Sequence, residues 1–216
     1  FCGTLDYETA TLSHGEFHEL DLGFEFYAPQ SCLSDDGRRL LIGWMGLPDA
    51  DEFYQPTLNH GWIHTMTCPR ELTLSGDRVI QRPARELQQL RQHETQLKGI
   101  AGNLPALDVD SAELHVSIDG SFSASFADAV NLHVDRHGLT LGRKNLRTGE
   151  QEERHWGGEV RTLQILCDRS SVESSINDGE AVLSSRYFPD AQPHVRLSGS
   201  VQISLSYRRV RQCVIE

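Results

Sequence analysis

The chain has 216 residues and a formal net charge of -11, from 20 Lys and Arg against 31 Asp and Glu. A field of that sign repels phosphate backbones and anionic lipid, which excludes nucleic acid and membrane surfaces as natural partners. No apolar run approaches the about 20 residues of a membrane-spanning helix, and the length suits one large domain or two ordinary ones.

From Phe1 to about Pro83 the sequence reads as short strands broken by turn chemistry. GFEFYAPQSCL alternates Phe24, Phe26 and Ala28 with Glu25, Tyr27 and Pro29, and stops at the hairpin signal Ser34-Asp35-Asp36-Gly37. RRLLIGWMG is apolar enough for a central strand and ends at Gly46, Pro48 and the acidic DADE loop. GWIHTMTCPREL is a third strand run, and Ser75-Gly76-Asp77 marks the next turn. Meandering hairpins of this kind predict propeller blades or part of a barrel. Residues 84–98 read as a linker helix, ARELQQLRQHETQ, with Leu87 and Leu90 three apart on a thin apolar stripe. From residue 99 to 216 the runs AELHVSID, SFSASFA, VNLHVDRHGLTLGR, VRTLQILCDRSSVESSI, EAVLSSRYF and HVRLSGSVQISLSYRRV alternate apolar with polar residues, as in a two-sheet antiparallel β-sandwich. The fold class is therefore all-β.

Glu19, Asp21 and Glu25 could supply the two carboxylates of glycoside hydrolysis, or be solvated acids on a strand. Asp35 and Asp36 belong to a turn, and Asp49, Asp51 and Glu52 to a solvated loop. His60 and His64 are four apart, but a strand through Gly61, Trp62 and Ile63 would hold the rings too far from each other for one metal ion. No metal site is expected from these histidines. Ser170, Ser171, Ser174 and Ser175 lack a nucleophile elbow and read as polar strand and turn positions. Tyr27, Trp44, Phe53, Tyr54 and Trp62 gather in the first half, where rings serve either core packing or a sugar face, and Trp44 ends its strand where a central pocket would be lined. Cys2, Cys32, Cys68, Cys167 and Cys213 are scattered without a CxxC pair, which reads as reduced core thiols in a cytoplasmic protein.

Four blocks in order, HELDLGFEFYAPQS, DDGRRLLIGWMG, TMTCPREL and DRSSVESSINDGEAVLSSRYFP, resemble glycoside hydrolase family 32, the invertase and sucrose-6-phosphate hydrolase group, and most closely its bacterial intracellular branch. The resemblance implies a five-bladed β-propeller followed by a β-sandwich, and retaining hydrolysis of a β-fructofuranosyl bond in sucrose or sucrose 6-phosphate without a cofactor. It also implies that the family's WMNDPNG, RDP and ECP motifs, which carry its nucleophile, transition-state stabiliser and acid/base, belong to N-terminal blades of the same enzyme that this sequence does not contain. The chain opens on FCGTLDYE, as the inside of a folded domain, so it resembles the C-terminal part of such an enzyme: the last two blades, the linker and the sandwich. No catalytic residue is carried over, and the chain alone is expected to be inactive.

The family's DxGxDFYA and IGW strands imply that Asp21, Tyr27 and Trp44 line the sugar site, with Gln30 as a neighbour. Glu25 stands where the family more often has aspartate, and Arg70 and Glu71 read as structural, paired with each other or with backbone. VESSIN carries two serines where the family shows an aromatic after a β-branched residue, a change that would cost about 2 to 4 kcal/mol in a core. The competing reading is a noncatalytic module that binds carbohydrate or mediates subunit contacts, with self-association through an open propeller edge as its consequence.

Overall fold

The computed structural model describes residues 1–46, 52–189 and 193–211. Cys213 and Asp49 and Asp51 of the acidic loop fall outside them. The first strands are a hairpin of β1 (Gly3–Asp6) and β2 (Thr11–His14). A five-stranded sheet follows from β3 (Tyr27–Leu33), β4 (Arg39–Met45), β5 (Thr65–Met66), β6 (Arg70–Ser75) and β7 (Arg78–Pro83). Its order is β3-β4-β6-β7, with β5 paired to the end of β4. The turn at Asp35-Asp36-Gly37 lies where the sequence places it, with Gly37 at a φ of 83°.

The remaining strands are β8 (Arg91–Ile100), β9 (Leu107–Asp108), β10 (Ala112–Ile118), β11 (Phe122–Phe126), β12 (Val130–Asp135), β13 (Gly138–Lys144), β14 (Gln151–Gly157), β15 (Thr162–Asp168), β16 (Ser171–Ile176), β17 (Ala181–Arg186), β18 (His194–Ser198) and β19 (Gln202–Val210). They form two antiparallel six-stranded sheets, β17-β16-β15-β10-β19-β8 and β14-β13-β12-β11-β18-β9. Alternation decides which faces meet: Val130, Leu132 and Val134 of β12 are buried while Asn131 and His133 are exposed. One contiguous core between the sheets holds Phe122, Phe126, Leu132, Leu141, Leu163, Ile165, Ile176 and Leu205. Burying such side chains contributes about 1.5–3 kcal/mol each.

Three expectations are corrected. No α-helix spans 84–98; a short 3-10 turn, Arg85–Leu90, leads into β8, which pairs with β19 and so already belongs to the sandwich. Its residues look helical because β8 is an edge strand, mostly exposed, and Arg, Gln and Glu suit any solvated surface; pairing with β19 overrides their helix propensity. Residues 61–64 form no strand but a turn after the 3-10 segment Pro56–His60. Of the four described cysteines, only Cys167 is buried in the core; Cys2 and Cys68 are half-buried, Cys32 is exposed, and all four are free thiols.

Strand β17 positions the two halves. The irregular segment 21–26 runs beside it, the Leu22 and Phe24 amides donating to the carbonyls of Val182 and Ser184 at 2.9 and 2.8 Å. Gly23 is required there, since a Cβ would collide with the Ser184 backbone. This pairing buries both Phe24 and Glu25, which a simple two-faced strand would have separated.

Candidate functional site

The β3–β4 pair presents an exposed face of aromatic, apolar and amide groups. Tyr27 stands opposite Trp44 and Gln30 opposite Ile42, and Trp44 is also paired with Met66 of β5. The ladder slips between Tyr27 and Gln30, where Ala28 takes a φ of 42°. A bulge of this kind re-aims the side chains on either side of it, and here it keeps Tyr27 and Gln30 both on the Trp44 side. Tyr27, Ile42 and Met66 remain 47, 38 and 55% exposed, whereas Leu41 and Met45 on the opposite face are buried. Tyr27, Ile42 and Met66 thus form one open apolar cluster beside Trp44, a patch of the kind that marks a binding surface.

Trp44 is held by its surroundings. Its ring centroid is 6.0 Å from Tyr27, and His64 meets it edge-on at 4.6 Å. His64 Nε2 lies 3.1 Å from Glu52 Oε1. Behind the strand, Gly43 leaves room for the Phe26 ring, which carries the Arg70 guanidinium 5.1 Å from its centroid. Ile42 and Met66 were not singled out from the sequence, and His64 was weighed there only with His60 as a metal pair; for Ile42 the signal was available, two residues before Trp44 on the same face of a strand.

The acids lie elsewhere. Asp21 has a fully buried side chain, 2.9 Å from Arg70 Nη2, and accepts hydrogen bonds from Ser184 Oγ at 2.7 Å and from the Ser184 and Gly23 amides. It therefore sits at the contact with the sandwich rather than on the exposed aromatic face, which corrects its expected place. Arg70 also donates to Glu173 Oε2 at 2.8 Å and to Ser184 Oγ at 2.7 Å, while Glu71 pairs with Arg38, so Arg70 and Glu71 are not partners. Burial would lower the Arg70 pKa, but the Glu173 and Asp21 carboxylates hold it above the ordinary guanidinium value. Glu25 lies 2.5 Å from Arg143 Nη1 and accepts the Arg186 amide at 2.8 Å. Burial pushes its carboxyl up, against the opposing pull of Arg143. Glu19 is exposed, so the three acids form no catalytic pair. Among the described residues no group of three or more His, Cys, Asp or Glu could hold a metal ion.

The family model for the glycosyl hydrolases family 32 N-terminal domain matches residues 1–83, and that for the family's C-terminal domain matches residues 139–209. This chain belongs to glycoside hydrolase family 32. Among family 32 proteins it is 47% identical to a sucrose-6-phosphate hydrolase of Klebsiella pneumoniae over 99% of the chain, spanning 45% of that relative. A sucrose-6-phosphate hydrolase of Lactobacillus gasseri, 21% identical, shares the fold with a TM-score of 0.83 over 97% of this chain and 46% of its own. A mutant GH32 beta-fructofuranosidase of Bombyx mori in complex with sucrose is 28% identical, with a TM-score of 0.79 over 97% of this chain and 46% of that one. The chain thus spans about half the length of these relatives. Family 32 enzymes join a β-propeller to a β-sandwich, which the two sandwich sheets and the meandering five-stranded sheet resemble.

Proposed function

We propose that this chain is the C-terminal part of a retaining β-fructofuranosidase acting on sucrose or sucrose 6-phosphate in the cytoplasm. The observation that carries the reading is the 47% identity to a sucrose-6-phosphate hydrolase across nearly all of these residues. In this reading the hairpin β1–β2 is the outer part of one blade, and β3–β7 form the last blade of five. Tyr27 and Trp44 give the sugar's CH faces an aromatic wall, and the Gln30 amide hydrogen-bonds its hydroxyls. The nucleophile and acid/base come from N-terminal blades, and Asp21 keeps β3 in place through Arg70. The free thiols fit a reducing compartment.

Intact mass and hydrolysis of both sugars, measured on one preparation, test this. A mass near 24.3 kDa without sugar cleavage fits an inactive fragment or a noncatalytic module. About twice that mass with cleavage supports the enzyme, in which Trp44→Ala should raise KM about tenfold or more. An unchanged KM would remove Trp44 from the sugar site.

A further inference from the structure

Arg186 is 1% exposed at the end of β17, in the sandwich, and its guanidinium touches no carboxylate among the described residues. Nε donates to the Ser170 carbonyl at 2.8 Å, Nη2 to Ser170 Oγ at 3.2 Å, and Nη1 to the Ile63 carbonyl at 3.0 Å. The cation lies 5.6 Å from the centroid of Trp62 and 5.0 Å from that of Phe188. Burial and the neighbouring Arg143 bring its pKa down to about 10, with Glu25 opposing, so it stays cationic at neutral pH. A buried cation satisfied by carbonyls costs more to desolvate than an apolar side chain of the same volume, so packing alone does not call for an arginine.

The position of its third acceptor supplies a reason. Ile63 follows Trp62 in the turn before β5, and the next residue is His64, whose ring meets Trp44 edge-on and whose Nε2 lies beside Glu52. Gly46 also lies against the His64 ring, where a Cβ would collide with it. The ring is therefore confined by Trp44, Glu52 and Gly46, and the backbone that carries it is tied to the sandwich through Ile63. A fork of donors fixed at Ser170 on one side has only one place to hold Ile63 on the other.

We propose that Arg186 is a positioning residue for the sugar face: by holding the Ile63 carbonyl it sets the turn from which His64 braces Trp44. The proposal rests on the reading of Trp44 as a sugar-facing ring. It gives the sandwich a part in substrate affinity through a residue that never touches the substrate.

The test uses the protein expressed from its complete reading frame, with Arg186→Gln, Arg186→Lys, Trp44→Ala and, as a control, the exposed Arg196→Gln. Two quantities are read: the Trp44 indole N–H resonance, and KM and kcat for sucrose 6-phosphate. Arg186→Gln should shift the Trp44 resonance and raise KM about tenfold while kcat changes less than about threefold. Arg186→Lys, which keeps one charged donor but loses the fork, should fall between Arg186→Gln and the unsubstituted protein, and Arg196→Gln should change neither quantity. An unmoved Trp44 resonance in a folded Arg186 variant overturns the proposal; if Arg186→Gln does not fold, Arg186→Lys decides by the same two readings. Should Trp44→Ala leave KM unchanged while Arg186→Gln shifts the resonance, the sugar-face reading falls and the positioning role with it. Should Trp44→Ala raise KM while Arg186→Gln moves neither quantity, only the role of Arg186 falls.

Discussion

Replacing Arg70 by Met, which keeps much of the volume and removes the charge, should destabilise the protein severely. The Arg70 side chain is 3% exposed, and its carboxylate partners Asp21 and Glu173 are 0 and 7% exposed. Each pair is worth about 4 kcal/mol at 4 Å in an effective dielectric of about 20, and desolvation has consumed much of that. The loss is therefore set mainly by what remains: two buried carboxylates without their cation. Breaking such a cluster from one side costs about 3–5 kcal/mol. The Asp21→Asn/Arg70→Met/Glu173→Gln protein, with no buried charge at this point, should recover more than half of it. Urea unfolding followed by tryptophan fluorescence measures both, provided m stays constant so that the midpoint reports stability. A loss below about 1 kcal/mol for Arg70→Met, or no recovery in the triple variant, would refute the argument that the cluster is dry and mutually dependent.

Glu113 gives a pH prediction. Burial opposes its charge, but His115, Arg91 and Gln164 donate to it and hold its pKa at about 2, below the free value of 4.5. A carboxyl depressed on folding adds stability above the unfolded value that is lost as pH falls from 4.5 toward 2. Glu113→Gln should thus lose on the order of 2 kcal/mol at pH 6 and show a flatter acid limb, which urea midpoints across pH would reveal; an equally steep limb would count against it. Ser174 is fully buried, flanked across the sheet by Ile165 and Leu183, and its hydroxyl has no partner among the described residues. Ser174→Val should gain about 1–2 kcal/mol and raise Tm, whereas a lower Tm would mean that the hydroxyl is needed.

Strands with one wet face and one dry face were legible. VNLHVD and FSASF alternate in sequence as they do in burial, because the solvent on one side enforces a period of two. The strand Arg91–Ile100 was not, because an edge strand with little buried surface has no such period to show. Tyr27 and Trp44 were read onto one site, and the ladder sets them opposite each other. Asp21 was misplaced because its partners are Arg70, 49 residues on, and Ser184, 163 residues on, separations that carry no local signal. VESSIN read as a core defect, and Ser174 and Ser175 do carry buried hydroxyls without partners among the described residues. Only Ser174 shares its strand face with the core residues Val172 and Ile176; Ser175 lies on the Glu173 face, toward Arg70 and Cys68.

The ions between the halves bear on how such proteins can diverge. Arg70 meets Glu173, Asp21 meets Ser184, and Glu25 meets Arg143, each pair drawn from opposite sides of the short connection at residues 84–90. A chimaera joined at that connection, taking its first half from one relative and its second from another, inherits buried charges from two parents. It remains sound only where both parents carry the same set, so a change on one side is tolerated only with its counterpart. The halves are separate in architecture and joined in descent.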